Sequence, residues 1–295
     1  MLRKLPSAPN WSLLLFALTC FASNSLLCTV ALRPGHIDPL SFTSIRLLSG
    51  AVMLSLMVWT RNPSSKILSK GDWKSGATLF IYAMAFSLAY VRINAGVGAL
   101  ILFGTVQITM LIWNHYQKTS LNKNETIGLI VAVVGLAWLV IPGASSPDLM
   151  GVCLMIIAGL SWGLYSLNGI KAKAPLHLTA GNFGRAAILS LFFIPFSFSN
   201  LHLSSQGIET ALISGALTSG VAYAIWYTVL PHLKPTLASI VQLAVPVLAA
   251  AASILFLGEK STLTLLFSSA MVLGGIAIVI FGRREKIAAK PIGPA

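Results

Sequence analysis

A chain of 295 residues that is 56% hydrophobic and only 9% charged cannot build a water-soluble surface, which ordinarily takes roughly 25% charged residues. Its net charge of +13 would suit a nucleic-acid binder, but the basic residues are scattered through short connections with no basic helix face carrying interleaved aromatics, which sets nucleic acid aside as a partner. Cys20, Cys28 and Cys153 lie in apolar stretches, and His36, His115, His177, His202 and His232 lack metal-ligand spacing, so neither a disulfide framework nor a metal or other cofactor is expected.

Apolar stretches of about 20 residues recur from Trp11 to Gly282, each long enough to cross a hydrocarbon core of roughly 30 Å. The predicted spans cover 11–31, 39–60, 73–91, 95–114, 124–141, 149–170, 177–198, 208–230, 235–257 and 262–282. The first follows Arg3 and Lys4 as a signal peptide would, yet it is too long for an h-region and has no small-x-small cleavage site before Arg33, so it is read as a retained span. Asp38-Pro39 supplies an N-cap followed by proline at the first helical position, and Pro235 after Lys234 offers the same proline start.

Of the 20 Lys and Arg residues, 15 fall in alternate connections: at Arg3 and Lys4, from Arg61 to Lys74, at Lys118 and Lys123, at Lys171 and Lys173, at Lys234, and from Arg283 to Lys290. The opposite set holds only Arg33, Arg92 and Lys260, while Arg46 and Arg185 lie within spans. The positive-inside rule then places both termini in the cytoplasm and requires an even number of spans.

The chain also repeats itself. Pro39-Leu-Ser-Phe-Thr-Ser-Ile-Arg46 resembles Leu178-Thr-Ala-Gly-Asn-Phe-Gly-Arg185, and Val134-Gly-Leu-Ala-Trp-Leu-Val140 resembles Gly274-Gly-Ile-Ala-Ile-Val-Ile280, each at an offset of about 139 residues. Because five spans is an odd number, the second half enters the membrane from the opposite side, as in transporters built from inverted repeats. The expectation is an all-α integral membrane protein of ten transmembrane helices arranged as two inverted five-helix repeats, 1–143 and 144–284, with a cytoplasmic tail at 285–295.

This pattern resembles the EamA-type family of the drug/metabolite transporter superfamily. The residues that carry the likeness are Ser161-Trp162-Gly163, the arginines Arg46 and Arg185, Pro246 through Gly258-Glu259, and Gly274-Gly275. The first half departs from the pattern, with Val106-Gln107 opposite Val245-Pro246, Lys118-Thr119 opposite Glu259, and Ser23-Asn24 opposite Trp162-Gly163. The resemblance implies a multi-pass protein of a bacterial inner membrane with a central cavity, often an exporter of amino acids, related metabolites or toxic compounds.

Polar side chains are costly in hydrocarbon, so those at mid-depth point to the bundle interior. Counted from the span ends they are Ser23, Asn24, Tyr82, Gln107, Trp162, Tyr165, Tyr223 and Gln242. Asn24, Tyr82, Gln107, Trp162, Tyr165, Tyr223 and Gln242 are the candidate substrate-binding set, suited to a small amphipathic organic molecule. The bland reading has the amides bridging helices and the aromatics filling volume. Tyr90, Trp226 and Tyr227 are read as an interfacial belt. Arg46 and Arg185, about seven residues inside their helices, are assigned structural or gating roles unless the substrate is anionic, and Glu259 is grouped with them.

The seven acidic residues all stand at or outside span ends, so no deep carboxylate relay is visible and facilitated movement or exchange is favoured over proton coupling, which Glu259 keeps open. A membrane-embedded enzyme acting on lipid or isoprenoid substrates is the alternative reading, weakened by histidines remote in sequence from carboxylates. A channel would need a ring of polar residues or a symmetric oligomer.

Overall fold

Hydrocarbon offers no hydrogen-bond partner to a peptide group, so a spanning chain has to satisfy its backbone within helices or a closed barrel. The computed structural model describes residues 10–61, 70–116, 123–140, 147–169, 174–195, 201–229 and 241–288, and among these the regular structure is helical apart from one isolated bridge between Ile37 and Leu203. Ten helices run in chain order: α1 Trp11–Leu32, α2 Pro39–Arg61, α3 Trp73–Tyr90, α4 Ala95–Tyr116, α5 Lys123–Val140, α6 Leu149–Gly169, α7 Pro175–Phe193, α8 Ser205–Val229, α9 Ala244–Leu257 and α10 Leu263–Ala288. Six of them, α1, α2, α4, α5, α6 and α8, are long and apolar enough to cross a bilayer on their own.

The scarce acidic groups are used at helix starts. Asp38 Oδ1 accepts from the Ser41 N–H, Asp72 Oδ1 from Ser75 and Asp148 Oδ2 from Gly151, so three carboxylates cap α2, α3 and α6. Asn10, Ser204 and Thr262 do the same for α1, α8 and α10. Each such carboxylate meets unpaired N–H groups and the positive end of a helix dipole, worth about 0.3–1 kcal/mol.

Several expected boundaries move. α7 ends at Phe193 and a short 3₁₀ turn carries it to 195, where 198 was expected. α9 is regular from Ala244, after a helical pair at 241–242 and a turn at 243, and Pro235 lies outside the described residues. α10 continues to Ala288, so the first residues assigned to a tail are helical.

The helix contacts test the two-fold relation between halves. Exchanging each helix with the one five places later turns α3–α6 packing into α8–α1, α2–α8 into α7–α3, and α4–α6 into α9–α1, and all six contacts are present. The pairs α2–α7, α4–α9 and α5–α10 map onto themselves, so they straddle the axis. At the α5–α10 crossing Gly128 lies against Gly275 and Val279 while Gly135 lies against Met271 and Val272, so the two helices run antiparallel, as inverted repeats require.

Lipid-facing side chains are apolar, as in Leu48, Val52 and Leu56 of α2. Trp11, Trp59, Trp73 and Trp113 are exposed at the helix ends that carry most of the Lys and Arg, where indole anchors at the headgroup level. This will be called the Lys70 end, and its opposite the Arg33 end.

The α5–α10 crossing yields a paired prediction. A Cβ on Gly275 would stand 2.5 Å from the Gly128 carbonyl oxygen, whereas one on Gly274 meets nothing within 4 Å. Gly275→Ala is expected to destabilise by about 1–3 kcal/mol through overpacking, read as a lowered melting midpoint of the purified protein, and Gly274→Ala to leave the midpoint near wild type.

Candidate functional site

Eight of the ten helices surround a cavity of about 530 Å³, and among the described residues none of α5 or α10 lines it. The walls come from both halves, and the volume lies in the range of sites for small organic ligands. At its centre the Trp162 ring sits 4.8 Å from Tyr82, 5.5 Å from Tyr165 and 5.5 Å from Tyr223. Tyr82 and Tyr223 belong to α3 and α8, which exchange under the two-fold, so equivalent helices each press a tyrosine on the same indole. Ring contacts at these spacings stabilise by about 0.5–1.5 kcal/mol each.

Asn24, Tyr82, Trp162, Tyr165, Tyr223 and Gln242 all stand in the wall. Gln107 does not. On α4 the wall is formed by Leu102, Phe103, Val106 and Met110, and Gln107 falls roughly a quarter turn off that stripe at 100° per residue. Depth counted along a span locates a residue between the two faces but carries no information on azimuth. Ser23 is likewise outside the wall and donates to the Thr19 carbonyl at 2.9 Å. Gln242 belongs to the helical pair 241–242 just before Ala244, which places it towards the Lys70 end.

Asn24 is a wall residue whose amide is already occupied. Its Nδ2 donates to the Thr218 carbonyl at 3.0 Å, and its Oδ1 accepts from Ser214 Oγ at 2.8 Å and Thr218 Oγ1 at 2.6 Å. These partners lie beside or within Ala216–Val221, where α8 widens into π-helix. A π-segment alters the backbone bonding locally and recurs at functional sites. Asn24 bolts α1 to that segment.

Two tyrosines and a tryptophan read as interfacial belt are not there. Tyr90 is fully buried and its hydroxyl donates to Ser25 Oγ at 2.8 Å, while Trp226 and Tyr227 line the cavity. Phe21, Thr179 and Asn182 also belong to the wall. The overlooked signal is helical spacing, since Tyr227 follows Tyr223 by one turn and Asn182 follows Thr179 by three residues. The walls continue from mid-depth to Ser75, Gly169, Pro175 and Gln242 at the Lys70 end, so residues near that interface face the cavity as well.

The charged candidates separate. Arg185 is at the Lys70 end, with Nη1 donating to the Lys70 carbonyl at 2.8 Å and the Gly181 carbonyl at 3.0 Å, and its guanidinium 5.7 Å from the Trp73 ring centre. Arg46 is instead a wall residue, only 4% exposed, donating from Nη2 to the Tyr82 hydroxyl at 3.4 Å. Glu259 accepts from the Ala95 and Gly96 N–H groups at 2.8 and 3.4 Å, closing the start of α4, and pairs with Arg33 at 3.7 Å.

At the Arg33 end five connections are tied to one another. Ile37 bridges to Leu203 with backbone bonds on either side, from Asp38 N–H to the His202 carbonyl and from Ser204 N–H to the His36 carbonyl. Arg33 Nη1 donates to Asn94 Oδ1 at 2.8 Å while also facing Glu259, and Arg92 meets Asp148 at 3.7 Å. Among the described residues no group of three His, Cys, Asp or Glu side chains is placed to hold a metal ion.

Comparison with known proteins agrees with this architecture. The EamA-like transporter family matches residues 10–141 and again residues 149–281. An uncharacterized protein of Pseudomonas aeruginosa is 43% identical over 96% of this chain and 99% of its own length. A probable amino-acid metabolite efflux pump of Salmonella typhimurium is 23% identical over 74% of this chain and 79% of its own. A solved crystal structure superimposes with a TM-score of 0.67 at 18% identity, covering 92% of this chain and 98% of that one, which is a likeness of fold.

The Asn24 contacts generate a stability prediction. Asn24→Leu removes three interhelical hydrogen bonds at roughly 0.6 kcal/mol each in a membrane interior and leaves the Ser214 and Thr218 hydroxyls without this partner. The melting midpoint of the purified protein is expected to fall clearly, with Ser23→Ala near wild type.

Proposed function

Because the chain belongs to the EamA-like transporter family, we propose that it moves a small organic solute across a bacterial inner membrane, outward from the cytoplasm, by alternating access. The observation that carries this reading is an aromatic and amide-lined cavity enclosed by both repeats, its walls running to the Lys70 end while the connections at the Arg33 end are fastened together. The basic residues concentrated at the Lys70 end support a cytoplasmic position for that end and for both termini. The cavity then faces the compartment from which an exporter loads.

In this mechanism the repeats 1–143 and 144–284 exchange packings about the two-fold. The bridge Ile37–Leu203 joins the two halves, as does the Arg33–Glu259 pair, so opening the Arg33 end means breaking both. Trp162, held between Tyr82 and Tyr223, is the platform against which the solute lies. The printed name of the Salmonella relative points to amino acids and their derivatives as the first solutes to try. Movement down a gradient, or in exchange for a second solute, suits a wall in which no Asp or Glu stands among the described residues.

Two measurements test the reading. In proteoliposomes Trp162→Ala is expected to slow solute flux about tenfold, the equivalent of one lost aromatic contact near 1.4 kcal/mol, in protein that still purifies folded although its melting midpoint is lowered by the lost ring contacts, with Gln107→Ala close to wild type. Unchanged flux in Trp162→Ala removes the indole from the site. In a background with Cys20, Cys28 and Cys153 replaced, Ile37→Cys paired with Leu203→Cys should form a disulfide on oxidation, arresting transport until a reductant is added. Full transport by the crosslinked protein would mean that the Arg33 end is no gate.

A further inference from the structure

We infer that the solute is an organic monoanion, a carboxylate carrying an apolar body, and that Arg46 is the group that receives its charge. The inference deepens the transport reading and rests on it. Arg46 lines the cavity at 4% exposure, and its Nη1 has no hydrogen-bond partner. Among the described residues its one polar side-chain contact is the long bond from Nη2 to the Tyr82 hydroxyl. Phe86 and Tyr82 lie 5.0 and 5.7 Å from the guanidinium carbon, which gives the charge ring faces but no counter-ion. Among the described residues no carboxylate is within 4 Å of it.

A buried guanidinium with neither a carboxylate nor a full set of acceptors is an expensive arrangement, and guanidinium groups in proteins stay charged. The pseudo-equivalent Arg185 shows how the same helix position resolves the cost when the site is structural: its Nη1 bonds two backbone carbonyls at the rim. Arg46 has no such carbonyls and faces the cavity. Its planar fork matches the two oxygens of a carboxylate.

The rest of the wall decides between anions. Arg46 is the one charged residue among the described lining, so a single negative charge is balanced and a second is not. A small inorganic anion leaves the aromatic surround of Trp162, Tyr223 and Phe21 unfilled. A free ammonium group meets no carboxylate in this wall and is repelled by Arg46. Carboxylates that lack a free ammonium, such as 2-oxo acids or N-acyl amino acids with aromatic or branched side chains, satisfy each requirement. Singly charged acids of that kind arise wherever an amino acid is deaminated or acylated.

The test uses four compounds with one aromatic body and different charge: 3-phenylpropanoate, its amide, phenylalanine and 2-phenylethylamine. Binding to the purified protein and flux from proteoliposomes are measured for wild type, Arg46→Gln and Arg46→Lys, with melting midpoints as the folding control. The expected result is at least tenfold preference for the carboxylate over the amide and the amine in wild type, lost in Arg46→Gln and partly kept in Arg46→Lys. Should Arg46→Gln fail to fold, Arg46→Lys carries the test by a reduced carboxylate preference. Equal binding of amide and carboxylate by wild type overturns the assignment, as does a preference that survives Arg46→Gln. Movement of phenylalanine or the amine but not of the carboxylate also overturns it while leaving the transport reading standing, and failure of all four to bind or move overturns it together with the choice of an aromatic body.

Discussion

A bilayer interior supplies no partner for an unpaired helix end, and this scarcity determines where the chain can place its few carboxylates. Asp38, Asp72, Asp148 and Glu259 each close the N-terminus of a helix at one face or the other. Helix starts are thereby satisfied by groups that also favour the dipole. The same allocation leaves the described cavity wall without negative charge, so the polarity of the centre is that of amides, hydroxyls, ring faces and one guanidinium.

Symmetry accounts for most of what surrounds that centre. The most extensive helix contacts recur when the halves are exchanged, and pairs on the axis cross through small residues such as Gly128 and Gly275. The cavity is where the symmetry is broken. Trp162 stands opposite Ser23 in the repeat, so a wall indole in one half corresponds to a hydroxyl outside the wall in the other, whose neighbour Asn24 fastens α1 to α8. Arg46 and Arg185 hold the same position in their helices yet stand in different surroundings, one in the wall and one at the rim.

The sequence carried the helix count, the inversion and the charge asymmetry between ends, because these depend on hydrophobic length and on Lys and Arg positions summed over many residues. Six of seven proposed binding residues stand in the wall for a related reason, since polar and aromatic groups at mid-depth have few alternatives to the interior. Gln107 escaped because depth says nothing about which way a helix is rotated. Trp226 and Tyr227 were misread because an interface aromatic anchored in headgroups and one lining a tapering vestibule have the same sequence position. The Arg33–Glu259 pair and the Ile37–Leu203 bridge join residues more than 160 apart, and no local pattern announces them.

The widened turn of α8 at Ala216–Val221 has a geometric effect beyond its own hydrogen bonds. In a regular helix each residue advances the azimuth by about 100°, so the residue accommodated by a bulge sets the phase of everything downstream. Tyr223, Trp226 and Tyr227 are all downstream. The aim of that whole aromatic blade is therefore indexed by a single backbone irregularity, which Asn24 holds in place from the adjacent α1. Straightening the turn would rotate three rings out of the vestibule together, without altering one of their side chains.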